Sequence, residues 1–226
     1  MDKALSEISV VPKNAQTPAW LRVWFWACIV IAVAVVCRRI FALAHPGQAT
    51  RSQMAALDQA FASHAILTLA HILPALAFVL LVAFFYIRPG AIWPERFLFP
   101  LGLVVGITAY AMSVYAVGGW AEWSAVLFFN SLFLFSLGRS WSQRYGDPQL
   151  KLRWMTRAIA VLLGIATTRP VMGIFFATNR LTHLEPRQFF GIAFWIGFSI
   201  NTIIVELWLR SPQGRFQIER MAGSVS

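Results

Sequence analysis

Six apolar stretches dominate this chain, at roughly residues 20–37, 64–87, 97–119, 122–139, 154–177 and 189–209. Each is close to the ~20 residues that a helix needs to cross the ~30 Å hydrocarbon core of a bilayer. Only 12% of the residues are charged and the mean hydropathy is +0.65, whereas a soluble domain carries about 25% charged residues. Such a chain cannot cover itself with polar surface in water. Hydrocarbon offers backbone N–H and C=O groups no partner, so each stretch must satisfy its own and is predicted to be helical. The stretches lack strand-like alternation, which speaks against a membrane β-barrel. The predicted fold is an all-α bundle of six transmembrane helices over residues 20–210. Polar tails are expected at 1–19 and 211–226.

The net charge is +10, and its placement gives it a meaning. With the N-terminus in the cytoplasm, the inner segments hold thirteen Lys and Arg residues and the outer ones five, leaving Arg169 in the membrane. That bias follows the positive-inside rule and puts both termini in the cytoplasm. The charge therefore reads as orientation against anionic lipid, with no nucleic-acid partner. Cys28 and Cys37 lie on one predicted helix about 13 Å apart along its axis, too far for a disulfide.

Polar residues inside the spans are the candidates for function, because hydrocarbon makes them costly. In the second span His64, Thr68 and His71 share a face, and Pro74 frees the carbonyl of Ala70. In the third span Gly102 and Gly106 form a GxxxG element, a close-packing device. Ala160, Gly164 and Thr168 make a similar seam in the fifth. A helix rises about 1.5 Å per residue, so His71 lies roughly 10 Å below His64 and Arg169 about 12 Å below the outer end of its span. Tyr110 and Asn130 come out at about 12–14 Å. His71, Arg169, Asn130 and Tyr110 are thus the predicted ligand-binding set, at one level in the outer half of the bilayer.

Arg169 needs a source of solvation, and Pro170 suggests one by freeing the carbonyl of Ala166. No acid is expected at its depth. Glu206 is read as the only acid inside a span and lies about 13 Å further in. It is expected to pair with Arg157 or with Arg210 at i+4 as a structural contact. His45, His64 and His183 fall at or outside the outer interface, at spacings that match no recognised metal motif, and no metal site is predicted.

The stretch "RWMTRAIAVLLGIATTRPVMGIFF", followed by "NTIIVELWLR", resembles the bacterial membrane proteins of DUF family 2306. The positions that carry the likeness are Trp154, Met155, Arg157, Arg169, Asn201 and Glu206, with His64, His71 and Ile72 in an earlier helix and Arg88 after it. The chain departs from the pattern at Lys151, where a histidine is usual, and at the "PER" of 94–96. The resemblance covers roughly residues 64–210 and implies a multi-pass protein of the bacterial plasma (inner) membrane, without an assigned activity.

Several functions compete. The first is binding or transport of a small ligand, such as a quinone, a lipid headgroup or an anion, in the outer-half pocket. The alternative is a haem-bearing electron-transfer bundle, in which His71 and either Met112 or Met172 would be the axial ligands at matching depth. A third is an accessory or scaffold subunit, with a membrane-protein partner or a second copy of the chain. No Ser/His/Asp set, HExxH, P-loop or intramembrane carboxylate pair is present to suggest an enzyme.

Overall fold

The computed structural model describes residues 17–45, 55–87, 95–182 and 186–223. Among them are eight helices and no strand: α1 (Ala19–Ala44), α2 (Ala55–Ala62), α3 (Ala65–Ile87), α4 (Glu95–Ser113), α5 (Gly119–Ser142), α6 (Pro148–Thr182), α7 (Pro186–Arg210) and α8 (Pro212–Gly223). Five of them (α1, α3, α5, α6 and α7) are long and apolar enough to cross a membrane, while the apolar part of α4 spans only Phe97–Ser113. The outward faces fit lipid as solvent. Val23, Ile66, Ile174 and Leu207 are each at least 64% exposed, and a soluble protein rarely leaves so large an apolar surface in water.

Local chemistry sets the helix ends. Pro148 and Pro212 occupy first helical positions, where the missing N–H costs nothing. The Asp147 carboxylate accepts the Gln149 N–H at 2.8 Å, and the Ser211 hydroxyl accepts that of Gly214 at 3.1 Å, so both ends are capped by side chains. Gly119 starts α5 at φ 62°, a left-handed conformation that favours glycine. Two boundaries differ from expectation. α1 runs through Arg38 and Arg39 to Ala44 instead of ending at 37, because both arginines find Asp58 on α2 and need not leave the helix for water. Most of the expected C-terminal tail is α8, whose Ile218 and Ala222 bury against Leu152 and Leu209. Most of the expected N-terminal tail lies outside the described residues.

The helix α6 is central and contacts α1, α5, α7 and α8. One core joins Phe78, Leu98, Phe133, Leu137, Val161 and Phe190. A second seats Cys28, Ile29 and Ala32 of α1 against α3 and α6. Both cysteines are free thiols. Asn201 of α7 ties three helices together, accepting from Trp24 Nε1 at 2.8 Å and donating to the Ala160 carbonyl.

Small residues set how closely the helices approach. A Cβ on Gly197 would stand 2.6 Å from the Thr168 nitrogen, and one on Gly164 would stand 2.6 Å from the Phe198 ring. The seam read from Ala160, Gly164 and Thr168 therefore faces α7. The GxxxG of α4 works differently: Leu137 and Leu134 of α5 fill the space over Gly102 and Gly106. At Gly197 the obstructing atoms are backbone and cannot swing aside. Gly197→Ala is expected to destabilise the protein by about 1–3 kcal/mol through overpacking. Gly173, with nothing within 4 Å of its would-be Cβ, should accept alanine with unchanged or slightly raised stability. Thermal unfolding of the two variants in detergent, side by side, tests this.

Candidate functional site

Between α1, α3, α4, α5, α6 and α7 lies a cavity of about 230 Å³. Its walls are mostly apolar, with Phe129, Phe133, Phe194 and Phe198 forming an aromatic side. Polar groups from five helices also reach it: Arg39, Thr68 and His71, Ser113, Glu122 and Asn130, and Arg169.

His71 is held by α4. Its Nδ1 is 3.0 Å from the Thr108 hydroxyl, and that hydroxyl donates its single proton to the Val104 carbonyl at 2.6 Å. Thr108 can therefore only accept, so Nδ1 carries the proton and donates. A neutral imidazole then leaves Nε2 as an acceptor. Thr68, three residues earlier, is buried and donates to the Phe61 carbonyl at 3.1 Å. Asn130 donates from Nδ2 to the Gly106 carbonyl at 2.9 Å, so part of its side chain cross-links α5 to α4.

Arg169 has the poorest company. Its one hydrogen-bond acceptor among the described residues is the Met172 sulfur at 3.7 Å. Its Nε is buried without a partner. The expected acceptor, the Ala166 carbonyl freed by Pro170, is not used, because the guanidinium runs the other way along its own helix, towards Met172 three residues on. A thioether is a weak acceptor and leaves a half-buried cation poorly solvated. That contact also bears on haem ligation, since the Met172 sulfur faces the guanidinium. Met112 remains on the cavity wall.

One acid lines the same cavity, at its end nearest the start of α5. Glu122 is buried in the first turn of α5 and lines the cavity. Its Oε2 accepts the Gly118 N–H at 2.6 Å, a favourable place for a carboxylate beside a helix N-terminus. It forms no ion pair with Arg169 within 4.0 Å. The sequence hid Glu122 by position: it is the first residue of its apolar run and reads as a boundary. Arg39 was missed for the same reason. Its guanidinium lies 4.0 Å from the Phe61 ring centroid and 2.6 Å from the Asp58 carboxylate. Arg38 binds the same carboxylate through both terminal nitrogens, at 3.2 and 2.9 Å. The short apolar pattern "ALDQAFA" around Asp58 was the one available signal for α2.

Of the four residues expected to converge, His71, Asn130 and Arg169 line the cavity and Tyr110 does not. Tyr110 lies on the outer side of the α4–α5 contact. The Ser131 hydroxyl donates to the Leu127 carbonyl at 2.6 Å, so the Tyr110 hydroxyl donates to Ser131, at 2.7 Å. Elsewhere, Glu206 binds Arg157 through two bonds of 2.8 and 3.2 Å and Arg210 through one of 2.8 Å. The Arg157 guanidinium also lies over the Trp154 ring at 4.6 Å. Outside the cavity, His64 stacks on Tyr115 and His45 on Phe41, while His183 lies outside the described residues.

No curated protein and no solved structure matches the chain. A family described as predicted membrane protein (DUF2306) matches residues 95–209, from the start of α4 to the end of α7. The match takes in Asn130, Arg157, Arg169, Asn201 and Glu206, while His71 and Arg39 precede it. With half of its length matched and five apolar helices of membrane-spanning length, the chain is a multi-pass membrane protein and belongs to the DUF2306 family.

Proposed function

We propose that this protein binds a small amphipathic ligand in the cavity between α1 and α3–α7, with the ligand's polar head at Arg169 and His71 and its apolar body among the phenylalanines. The observation that carries this reading is the half-buried Arg169 guanidinium on the cavity wall, its Nε buried without a partner and a thioether its one acceptor among the described residues. Intramembrane charges are costly and are normally paired or turned to a pathway. Arg169 donates, His71 Nε2 accepts, and Asn130 adds an amide, so a head with both donor and acceptor character is complemented.

Ala109 sits on the cavity wall, and a larger side chain there fills the space without touching a polar group. Protein purified in mild detergent should release a specific small molecule on organic extraction, and Ala109→Trp should carry at least about tenfold less of it by mass spectrometry, a loss of 1.4 kcal/mol or more in affinity. Equal amounts in the two samples, or bulk lipid alone in both, count against a cavity ligand.

The setting we propose for this site is the plasma membrane of a bacterium, crossed six times with both termini in the cytoplasm and the cavity in the outer half. α4 completes the count. Its 19 residues reach about 28 Å at 1.5 Å per residue, near the ~30 Å core thickness. The excess of thirteen over five basic residues on the inner segments supports the orientation. A fluorescent protein fused after Ser226 should fold and glow, and alkaline phosphatase at the same point should be inactive; the reverse pattern overturns the orientation.

A further inference from the structure

The charge balance at the outer end of the cavity narrows the ligand class; this step rests on the binding reading above. Three guanidiniums, those of Arg38, Arg39 and Arg169, face two carboxylates, those of Asp58 and Glu122, among the described residues. Asp58 is buried and holds both Arg38 and Arg39. Glu122 is held by the Gly118 N–H and stays more than 4.0 Å from Arg169. Among the described residues Arg169 is the guanidinium of the three that pairs with neither carboxylate, and its Nε is buried without a partner. A neutral head such as a quinone would give that cation a hydrogen bond but no counter-charge. A phosphate monoester carries about −1.5 to −2, which overshoots one guanidinium and meets Glu122 on the same wall.

Size narrows it further. An apolar cavity of about 150 Å³ holds benzene, so about 230 Å³ holds a ring with one small substituent. We propose that the ligand is a monocarboxylate on a ring-sized apolar body, with Arg169 as its counter-ion and Phe129, Phe133, Phe194 and Phe198 around the ring. Its carboxylate accepts from the guanidinium nitrogens. Glu122 is the residue that limits its affinity, because its negative charge faces the same space.

Benzoate, with neutral benzamide as its near-isostere, is the probe. Equilibrium dialysis against the detergent-purified full chain should show benzoate bound at least about thirtyfold more tightly than benzamide, the scale expected for a buried charge pair. Arg169→Gln should remove that preference. Glu122→Gln keeps an acceptor for the Gly118 N–H and removes a negative charge. Measured at pH 9, it should tighten benzoate by roughly tenfold, the order expected when a like charge is removed from the same cavity, and leave benzamide unchanged. This second variant keeps the test decisive if Arg169→Gln fails to fold.

Equal binding of benzoate and benzamide, with both lost in Ala109→Trp, overturns the carboxylate and leaves the cavity reading standing. Binding of either probe that survives Ala109→Trp places it elsewhere and removes both. Binding of dihexanoylphosphatidylglycerol but not benzoate overturns the carboxylate in favour of a lipid phosphodiester. Benzoate weakened by Glu122→Gln overturns the role given to Glu122.

Discussion

Hydrocarbon cannot solvate a charge, and this constraint decides where every ionised side chain within the helices goes. Glu206 closes with Arg157 and Arg210 at one end of the bundle. Asp58 closes with Arg38 and Arg39 at the other. Arg157 of α6 reaches Glu206 of α7, and Arg38 and Arg39 of α1 reach Asp58 of α2, so these pairs form only when those helices have assembled. Leaving one such charge unpaired costs more than the pair itself contributes. Arg169 is the exception, and it stands beside a cavity rather than inside a packed seam.

The cavity's position follows from which helix pairs approach closely and which do not. α6 and α7 meet along Gly164 and Gly197, almost backbone to backbone. α4 and α5 are held by Leu134 and Leu137 lying over Gly102 and Gly106. These two tight pairs act as walls. Between them the contacts pass through large side chains, phenylalanines above all: Phe129 of α5 meets Phe198 of α7 ring to ring at 5.2 Å. Rings on facing walls fix a width that aliphatic side chains could close. Asn201 and Trp24 then fix α1 against α6 and α7, giving the cavity its remaining side.

The sequence revealed height well and direction poorly. A rise of about 1.5 Å per residue puts His71, Asn130, Arg169 and Tyr110 at one level, and three of them do meet one cavity. Tyr110 shares the level but not the facing: Ala109, its neighbour, is on the cavity wall, and one residue is a turn of about 100°. Periodicity gives that angle only relative to the helix's own faces. Which face meets which neighbour depends on the order of helices around the bundle, and six apolar runs do not encode that order legibly. Height also separated Arg169 from Glu206 and left Glu206 with Arg157 and Arg210 as reachable partners. Boundary residues were the other blind spot. Glu122, Arg38 and Arg39 look like the point where a span meets water. In the fold each stays inside its helix because a partner on another segment, or a backbone N–H at a helix start, replaces the water.

The two ends of the bundle use the same residue types to opposite effect, and the difference is one of count. At the Glu206 end, one carboxylate takes bonds from two arginines and sits partly in contact with the surroundings, where surplus cation is screened or met by lipid phosphate. At the Glu122 end, the cation without a carboxylate partner is half-buried on the cavity wall, and the carboxylate on the same wall holds the start of α5. In this structure Glu122 Oε2 serves the helix start, beside a turn built on a left-handed glycine, and the carboxylate stays more than 4.0 Å from Arg169. The fold keeps its helix start and leaves the guanidinium without a carboxylate partner among the described residues, and the proposed carboxylate ligand is the group whose charge would answer it.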